Sequence, residues 1–338
     1  MRRRALLRLL LVPALVATGL LTAGAGPAAA AAAPTRVADF GANPGALEMY
    51  VHRPAGLEDG APVVVALHGC TQDAAGYAAG TGWPELADRW GFTVVLPQQS
   101  RVNNANACFN WFEPGDVARG QGEAASIRSM VAHAVRAYGA DPGRVFVTGL
   151  SAGGAMSAAL LAAYPDVFAA GSVIAGVPAG CADGLLPALV CMSAAPPRSP
   201  EEWAAEVRAA APAGTTDWPE VSVWHGTQDT TVNPGNATSS RDQWTAVHGL
   251  TQVPSTTAAL PAGTTRAQYA DREGLVRVTT YTVEGMGHGA PNDPGTGPRQ
   301  CGRPAQYFAD TVCSSWYDGV SWGLDHPGRA PYRPVRAG

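Results

Sequence analysis

The stretch Val145-Phe146-Val147-Thr148-Gly149-Leu150-Ser151-Ala152-Gly153-Gly154 joins a run of β-branched and aromatic residues to a Gly-x-Ser-x-Gly pattern. A serine between two glycines at that spacing suits a very sharp strand-to-helix turn. The glycines let strand and helix pack closely, and the turn leaves the serine hydroxyl exposed. The five-residue pattern recurs in unrelated chains, so its setting carries the weight. Residues 145–148 read as a buried strand entering the turn, and the alanine-rich residues 152–164 read as a helix leaving it. A glycine-rich turn without chemistry is the rival reading, and the strand before and helix after count against it.

Outward from this turn, short apolar runs recur at residues 62–67, 92–96, 172–175, 221–224 and 276–283. Most are apolar without alternation, as strands buried on both faces of a parallel sheet require. Alanine-rich segments such as 123–138 lie between them and suit helices. This alternation predicts the α/β class, with a mostly parallel, doubly wound sheet covered by helices on both faces. Residues 47–51 alternate more weakly and are expected at the sheet edge. Residues 181–217, rich in Pro and Ala, are either a cap-like excursion or an ordinary helical connection. No internal repeat or linker divides residues 34–338, which are expected to form a single domain.

The first 33 residues are expected to stand outside that domain. Arg2, Arg3, Arg4 and Arg8 make a positive start, residues 9–21 carry no charge, and an alanine run fills 28–33. That order is a secretory signal peptide with an A-x-A-like cleavage site. An uncleaved anchor is the rival, weakened by Gly19, Gly24, Gly26 and Pro27. The mature chain is therefore expected to be secreted, monomeric and free of the membrane. Its net charge of −4 points to neither nucleic acid nor an anionic membrane as partner. All 23 basic residues are arginine, which excludes a P-loop lysine, a Schiff-base lysine and a Ser-Lys dyad. Six cysteines in an exported chain predict three disulfides. Proximity pairs Cys181 with Cys191 and Cys301 with Cys313, leaving Cys70 with Cys108, while other connectivities stay open. No C-x-x-C pair or H-E-x-x-H spacing occurs, so neither metal nor other cofactor is expected.

A serine hydroxyl is a weak nucleophile until a base takes its proton, and that base needs an orienting carboxylate. After an elbow serine the acid comes next in the chain, then the histidine. His288 lies in Gly285-Met286-Gly287-His288-Gly289, a loop after a strand ending at Val283, where a base projects from the sheet's C-terminal edge. His326 sits in a Pro/Arg-rich tail, His248 near a helix end, and His225 is expected to pack or hydrogen-bond locally. Asp229 follows strand 221–224 in a loop and is the expected acid; Asp242, in the helix-like 240–247, is the runner-up. The oxyanion formed on attack needs backbone N–H donors already aimed at it. Ala152 supplies one, and Cys70 in Leu67-His68-Gly69-Cys70-Thr71-Gln72 is expected to supply the other, with His68 supporting the loop. In Cys108-Phe109-Asn110-Trp111-Phe112, Trp111 is the expected substrate contact, whereas Phe109 and Phe112 suit core packing equally well.

At these residues the chain resembles the extracellular polyhydroxybutyrate depolymerase family of esterases, itself similar to the feruloyl and acetylxylan carbohydrate esterases. The matching pieces are the Leu67 to Gln72 loop, Asn110-Trp111-Phe112 and Gly149-Leu150-Ser151-Ala152-Gly153-Gly154. Trp224-His225-Gly226-Thr227-Gln228-Asp229, Gly287-His288-Gly289 and Cys313-Ser314-Ser315-Trp316-Tyr317 follow in the same order. The resemblance implies the α/β-hydrolase fold, a Ser151, Asp229 and His288 triad, and an oxyanion hole from the Cys70 and Ala152 amides. It implies an ester substrate, either a short-chain hydroxyacid polyester or the esters decorating plant cell-wall xylan. Many depolymerases of solid polyester resemble a catalytic domain followed by a linker and a polymer-binding domain. This chain ends at Gly338, soon after the Cys313 segment, and is expected to act on soluble oligomers or side-chain esters without such a module.

A carboxylic-ester hydrolase is thus the first expectation. A serine peptidase on the same scaffold is second, because a fold does not fix the leaving group. A non-catalytic binding protein is third, and the complete set of nucleophile, acid, base and oxyanion donors stands against it.

Overall fold

Residues 32–194 and 196–326 are described by a computed structural model, and the valine-rich runs organise them. The expected leader lies outside the described residues, apart from Ala32 and Ala33. One ten-stranded sheet holds β1 (Thr35–Val37), β2 (Glu48–His52), β3 (Val63–Leu67), β4 (Thr93–Gln98) and β5 (Val145–Leu150). It continues with β6 (Ala170–Ile174), β7 (Glu220–Gly226), β8 (Thr256–Leu260), β9 (Thr264–Ala270) and β10 (Val276–Val283). The strand order is β1-β2-β4-β3-β5-β6-β7-β10-β9-β8. Neighbours from β4 through β10 run parallel, and antiparallel pairs close both ends. A smaller parallel pair, β11 (Ala290–Asn292) with β12 (Phe308–Asp310), stands apart.

The helices are α1 (Ala74–Thr81), α2 (Trp83–Trp90), α3 (Pro114–Val117), α4 (Gly122–Tyr138) and α5 (Ala152–Ala163), then α6 (Leu185–Ser193), α7 (Pro200–Ala210), α8 (Gly235–Val247) and α9 (Ser314–Ser321). Successive strand residues point to opposite faces. Val63, Val65, Val145, Val147, Val221 and Val223 therefore meet residues of α4, α5, α7 and α8 in one core. Val64, Ala66, Phe146, Ile174 and Trp224 meet α1, α2 and α9 in the other. Every residue of β3 is buried, which explains why that run shows no alternation.

Two expectations about the periphery change. Residues 47–51 are not the edge: β1 pairs outside β2, with Thr35 opposite Val51. A three-residue strand is too short to leave a pattern in sequence. The β8–β9 hairpin extends the far end, and its mixed, mostly half-buried or exposed residues likewise carry no clear periodicity. Residues 181–217 contain both things considered. Helix α7 is an ordinary connection that starts with a Ser199 capping box and buries Trp203, Ala204 and Val207. Helix α6 is an outlier: it buries only Ala188 and Cys191 and leaves Leu185, Leu186, Leu189 and Val190 exposed.

Candidate active site

Ser151 sits between β5 and α5 with φ 57° and ψ −119°, a backbone region that costs a side-chain-bearing residue about 1–3 kcal/mol. Its N–H donates to the Ile174 carbonyl at 2.9 Å, and its carbonyl accepts from the Ala155 N–H at 2.8 Å. The flanking glycines are demanded by contact. A Cβ on Gly149 would lie 2.3 Å from the Gly153 carbonyl oxygen, and one on Gly153 would lie 2.3 Å from that of Leu67. Ala152 is the first residue of α5, so its N–H belongs to the helix-start amides that have no intrahelical acceptor.

Strand β7 ends at Gly226, and the chain turns back on itself to present Asp229, whose side chain is fully buried. Its Oδ1 accepts from the N–H groups of Thr231 and Val232, both at 2.9 Å. Its Oδ2 accepts from His288 Nδ1 at 2.8 Å. Burial alone would raise the Asp229 carboxyl, but hydrogen bonds from His225 and His288 hold it well below the usual carboxylate range. With its Nδ1 proton committed to Asp229, His288 carries the free lone pair on Nε2. The two loops are tied together as well. Thr227 N–H donates to Val283 and Gln228 N–H to Met286, each at 3.0 Å, and Gly285 N–H donates to Thr227 Oγ1 at 2.9 Å. Beyond His288 the chain enters β11, and the Cys301–Cys313 disulfide staples that region.

The other candidates are employed elsewhere. Asp242 is bonded to its neighbour Arg241, with Nε at 2.7 Å. His248 donates to the Pro219 carbonyl at 3.0 Å, and burial pulls its imidazole down to about 4. His326 lies exposed beside Asp325. His225 does hydrogen-bond locally, from Nε2 to the Val232 carbonyl at 2.9 Å, yet the same nitrogen is also 3.4 Å from Asp229 Oδ2. Sequence reasoning missed that second contact, because four residues along a strand end say nothing about how the chain doubles back.

The loop after β3 passes directly over the elbow, since a Cβ on Gly69 would stand 3.5 Å from Ser151 Cβ. Cys70 is bonded to Cys108, and Cys181 to Cys191. His68 is buried; its Nδ1 donates to the Gly69 carbonyl at 2.8 Å and its Nε2 accepts the Gln99 N–H at 3.1 Å. Burial lowers its basicity and keeps it neutral, which suits the supporting role expected of it. Phe109 is core and packs on the His68 ring at 4.9 Å. Trp111 is half-buried, edge-on to Phe112, and rests on a small cluster of Ala155, Val177, Trp203 and Val232. It thereby touches a cluster that joins the nucleophile helix, through Ala155, to the acid loop, through Val232. Two buried polar residues beneath the loop, Gln99 and Glu123, went unnoticed in sequence. A glutamate in the first turn of a helix reads as an ordinary surface acid.

Two further surfaces flank these residues. The C-terminal end of α6 is tied to the acid loop and to the start of α8, with Asn233 N–H donating to Met192 at 2.8 Å and Asn236 Nδ2 to Cys191 at 2.9 Å. Its exposed aliphatic face thus belongs to a helix anchored on the loop that follows Asp229. On the other side, a polar cavity of about 590 Å³ lies beyond Thr71 and Gln72, lined also by Glu48, Gln98 and Arg101.

Residues 46–270 match the family model described as esterase PHB depolymerase, a stretch that contains Ser151 and Asp229 and stops short of His288. Poly(3-hydroxyalkanoate) depolymerase C of Paucimonas lemoignei is 47% identical over 291 residues, covering 86% of this chain and 70% of that protein. Acetylxylan esterase of Coprinopsis cinerea is 36% identical over 264 residues, covering 76% and 69%. Feruloyl esterase B of Talaromyces funiculosus is 33% identical over 274 residues, covering 79% and 76%. Among solved structures, the acetyl xylan esterase from Aspergillus awamori superposes with a TM-score of 0.69 at 29% identity, covering 76% of this chain and 94% of that one. The mostly parallel sheet with helices on both faces is the α/β-hydrolase arrangement expected from sequence.

Proposed function

Because the chain belongs to the esterase PHB depolymerase family and is a carboxylic ester hydrolase, we propose that it cleaves short-chain hydroxyacid polyester esters through Ser151, His288 and Asp229. The observation that carries the triad is the 2.8 Å bond from His288 Nδ1 to a carboxylate that four donors hold ionised against its burial. His288 Nε2 takes the Ser151 proton as Oγ attacks the ester carbonyl. The imidazolium that forms is stabilised by Asp229, whose own proton affinity is too low to take the proton from it. The tetrahedral oxyanion is received by the Ala152 and Cys70 amides. His288 then protonates the departing alkoxide, and a water repeats the sequence on the acyl-serine.

The polyester reading is supported by the uncharged, aliphatic outer face of α6 beside the acid loop. It is also supported by the 47% identity to a poly(3-hydroxyalkanoate) depolymerase. A second reading, esters on xylan, is favoured by the polar cavity beyond Thr71 and Gln72, whose amide and charged lining suits a hydroxyl-rich chain. Three disulfides fit an oxidising destination, which with the basic-then-apolar start of the chain supports secretion. Residues 34–338 are the proposed catalytic domain, acting as a monomer without cofactor.

The test compares kcat/KM on hydroxybutyrate oligomers, methyl ferulate and acetylated xylan, with Ser151→Ala as the blank. Hydroxybutyrate oligomers are expected to be turned over fastest. A preference for xylan acetate or ferulate moves the substrate to the second reading, and activity surviving in Ser151→Ala removes the nucleophile.

A further inference from the structure

Cys70 is held from two directions, and both lines of contact begin at one buried carboxyl. Glu123, in the first turn of α4, is 1% exposed. Its Oε2 accepts the Asn110 N–H at 2.9 Å, and its Oε1 accepts from the Gln99 side-chain amide. That same Gln99 amide donates to the Cys108 carbonyl at 3.1 Å. Gln99 Oε1 accepts from Ser100 N–H at 2.8 Å and Asn103 Nδ2 at 2.9 Å. With every polar atom of its side chain engaged, Gln99 is immobilised, and its backbone N–H points at His68 Nε2.

The consequence for the first line is geometric. His68 Nε2 is occupied as an acceptor, so its proton sits on Nδ1 and is donated to the Gly69 carbonyl. In a trans peptide the C=O and the following N–H point in opposite directions. Holding the Gly69 carbonyl toward the buried His68 therefore turns the Cys70 N–H away from His68, in the loop whose Gly69 approaches Ser151. The second line runs through Asn110 and Cys108 into the Cys70–Cys108 disulfide and fixes the same residue from across the loop.

A buried carboxyl is costly, and an apolar side chain would fill the space at less expense. Burial pushes the Glu123 carboxyl up to about 8, with nearby Asp116 adding to the rise and the Asn110 and Gln99 bonds opposing it. We infer that Glu123 is a positioning residue for the oxyanion hole, setting the plane of the Gly69–Cys70 peptide through Gln99 and His68 and its position through Cys108. The inference rests on the reading of the Cys70 amide as an oxyanion donor.

The test uses the full chain and two variants, Glu123→Gln and Gln99→Met. The second keeps the backbone N–H to His68 and removes only the side-chain link, so it decides the matter if the first does not fold. For each, kcat and KM are measured on p-nitrophenyl butyrate, together with Ki for butylboronic acid, whose tetrahedral serine adduct places an oxygen in the oxyanion hole. The expected result is a kcat lowered about tenfold or more, a KM within twofold, and a boronate Ki raised by the same factor as kcat falls. A folded variant whose kcat and boronate Ki stay within twofold of the parent overturns the inference. So does a fall in kcat with boronate affinity unchanged, the signature of general loosening. If the parent itself neither hydrolyses the ester nor binds the boronate, the underlying serine and oxyanion reading falls and takes this inference with it.

Discussion

The Trp224 indole N–H donates to Asp318 Oδ1 at 3.0 Å, tying the central strand β7 to the C-terminal helix α9 through a fully buried carboxyl. The surroundings are aromatic, with Trp224 and Tyr281 stacked at 3.7 Å and Tyr317 tilted against both. Burial pushes the Asp318 carboxyl up to about 7 against the hydrogen bond from Trp224 and the nearby Ser172 and Ser222 hydroxyls, and Glu123 is raised to about 8. Both groups hold in the folded state a proton that the unfolded chain releases. Their contribution to stability is therefore full below their ordinary values of 3.8 and 4.5, and is lost as pH rises through about 7 and 8. Asp229 has the opposite sign: its contribution is present above 3.8 and is lost as pH falls through its depressed value. Asp318→Asn is expected to flatten the decline of the thermal midpoint between about pH 5 and about pH 8. An unchanged slope in that variant places the titrating group elsewhere.

Asp229→Asn keeps the shape of the acid but favours the wrong tautomer of His288. It is expected to lower kcat on p-nitrophenyl butyrate by about 10⁴-fold with the fold intact by circular dichroism. Asp242→Asn, in a half-buried pair with Arg241, is expected to stay within twofold. The reverse ranking would reassign the acid.

What could be read in sequence, and what could not, follows from the range of the contacts. The elbow was legible because its requirements fall within five residues: Gly149 packs on Gly153, and both pack on Leu67 of the adjacent strand. The pairing of Asp229 with His288 could be anticipated because each sits just past the end of an apolar run. Asp318 was not, since its partner Trp224 lies 94 residues away and a lone aspartate in a short helix looks like surface. Glu123 was hidden for the same reason, with Gln99 and Asn110 reached only through a folded loop. The edge strand was misplaced because β1 has three residues and contributes pairing without a pattern.

The three disulfides close loops of different length, 38 residues for Cys70–Cys108 against 10 and 12 for the others. In the chain-entropy account, removing the longest costs about 4 kcal/mol and each shorter one about 3 kcal/mol. Cys70→Ser/Cys108→Ser is expected to lower both the urea midpoint and kcat, because the bond also holds the loop over Ser151. Cys301→Ser/Cys313→Ser is expected to lower the midpoint with a smaller effect on kcat. Equal kcat losses in the two variants would separate the disulfide from the oxyanion loop.

Gly153→Ala places a methyl carbon 2.3 Å from the Leu67 carbonyl, with the His68 carbonyl at 2.6 Å. Backbone atoms of a central strand cannot step aside as a side chain would. The variant is expected to lose more than the ~1–3 kcal/mol typical of overpacking, and to be recovered largely insoluble. A soluble variant with a near-parental thermal midpoint would show that strand and helix can separate at this point.

Ser151 holds φ 57° and ψ −119°, a geometry that glycine adopts without a Cβ penalty. Under selection, that makes the nucleophile a position where durability and chemistry pull apart. A library of this chain screened for heat resistance alone is expected to enrich Ser151→Gly, while a screen that also demands turnover keeps serine. Thermostable descendants of this sequence thus need to be chosen on both traits at once, or they drift toward sturdier proteins that no longer cut.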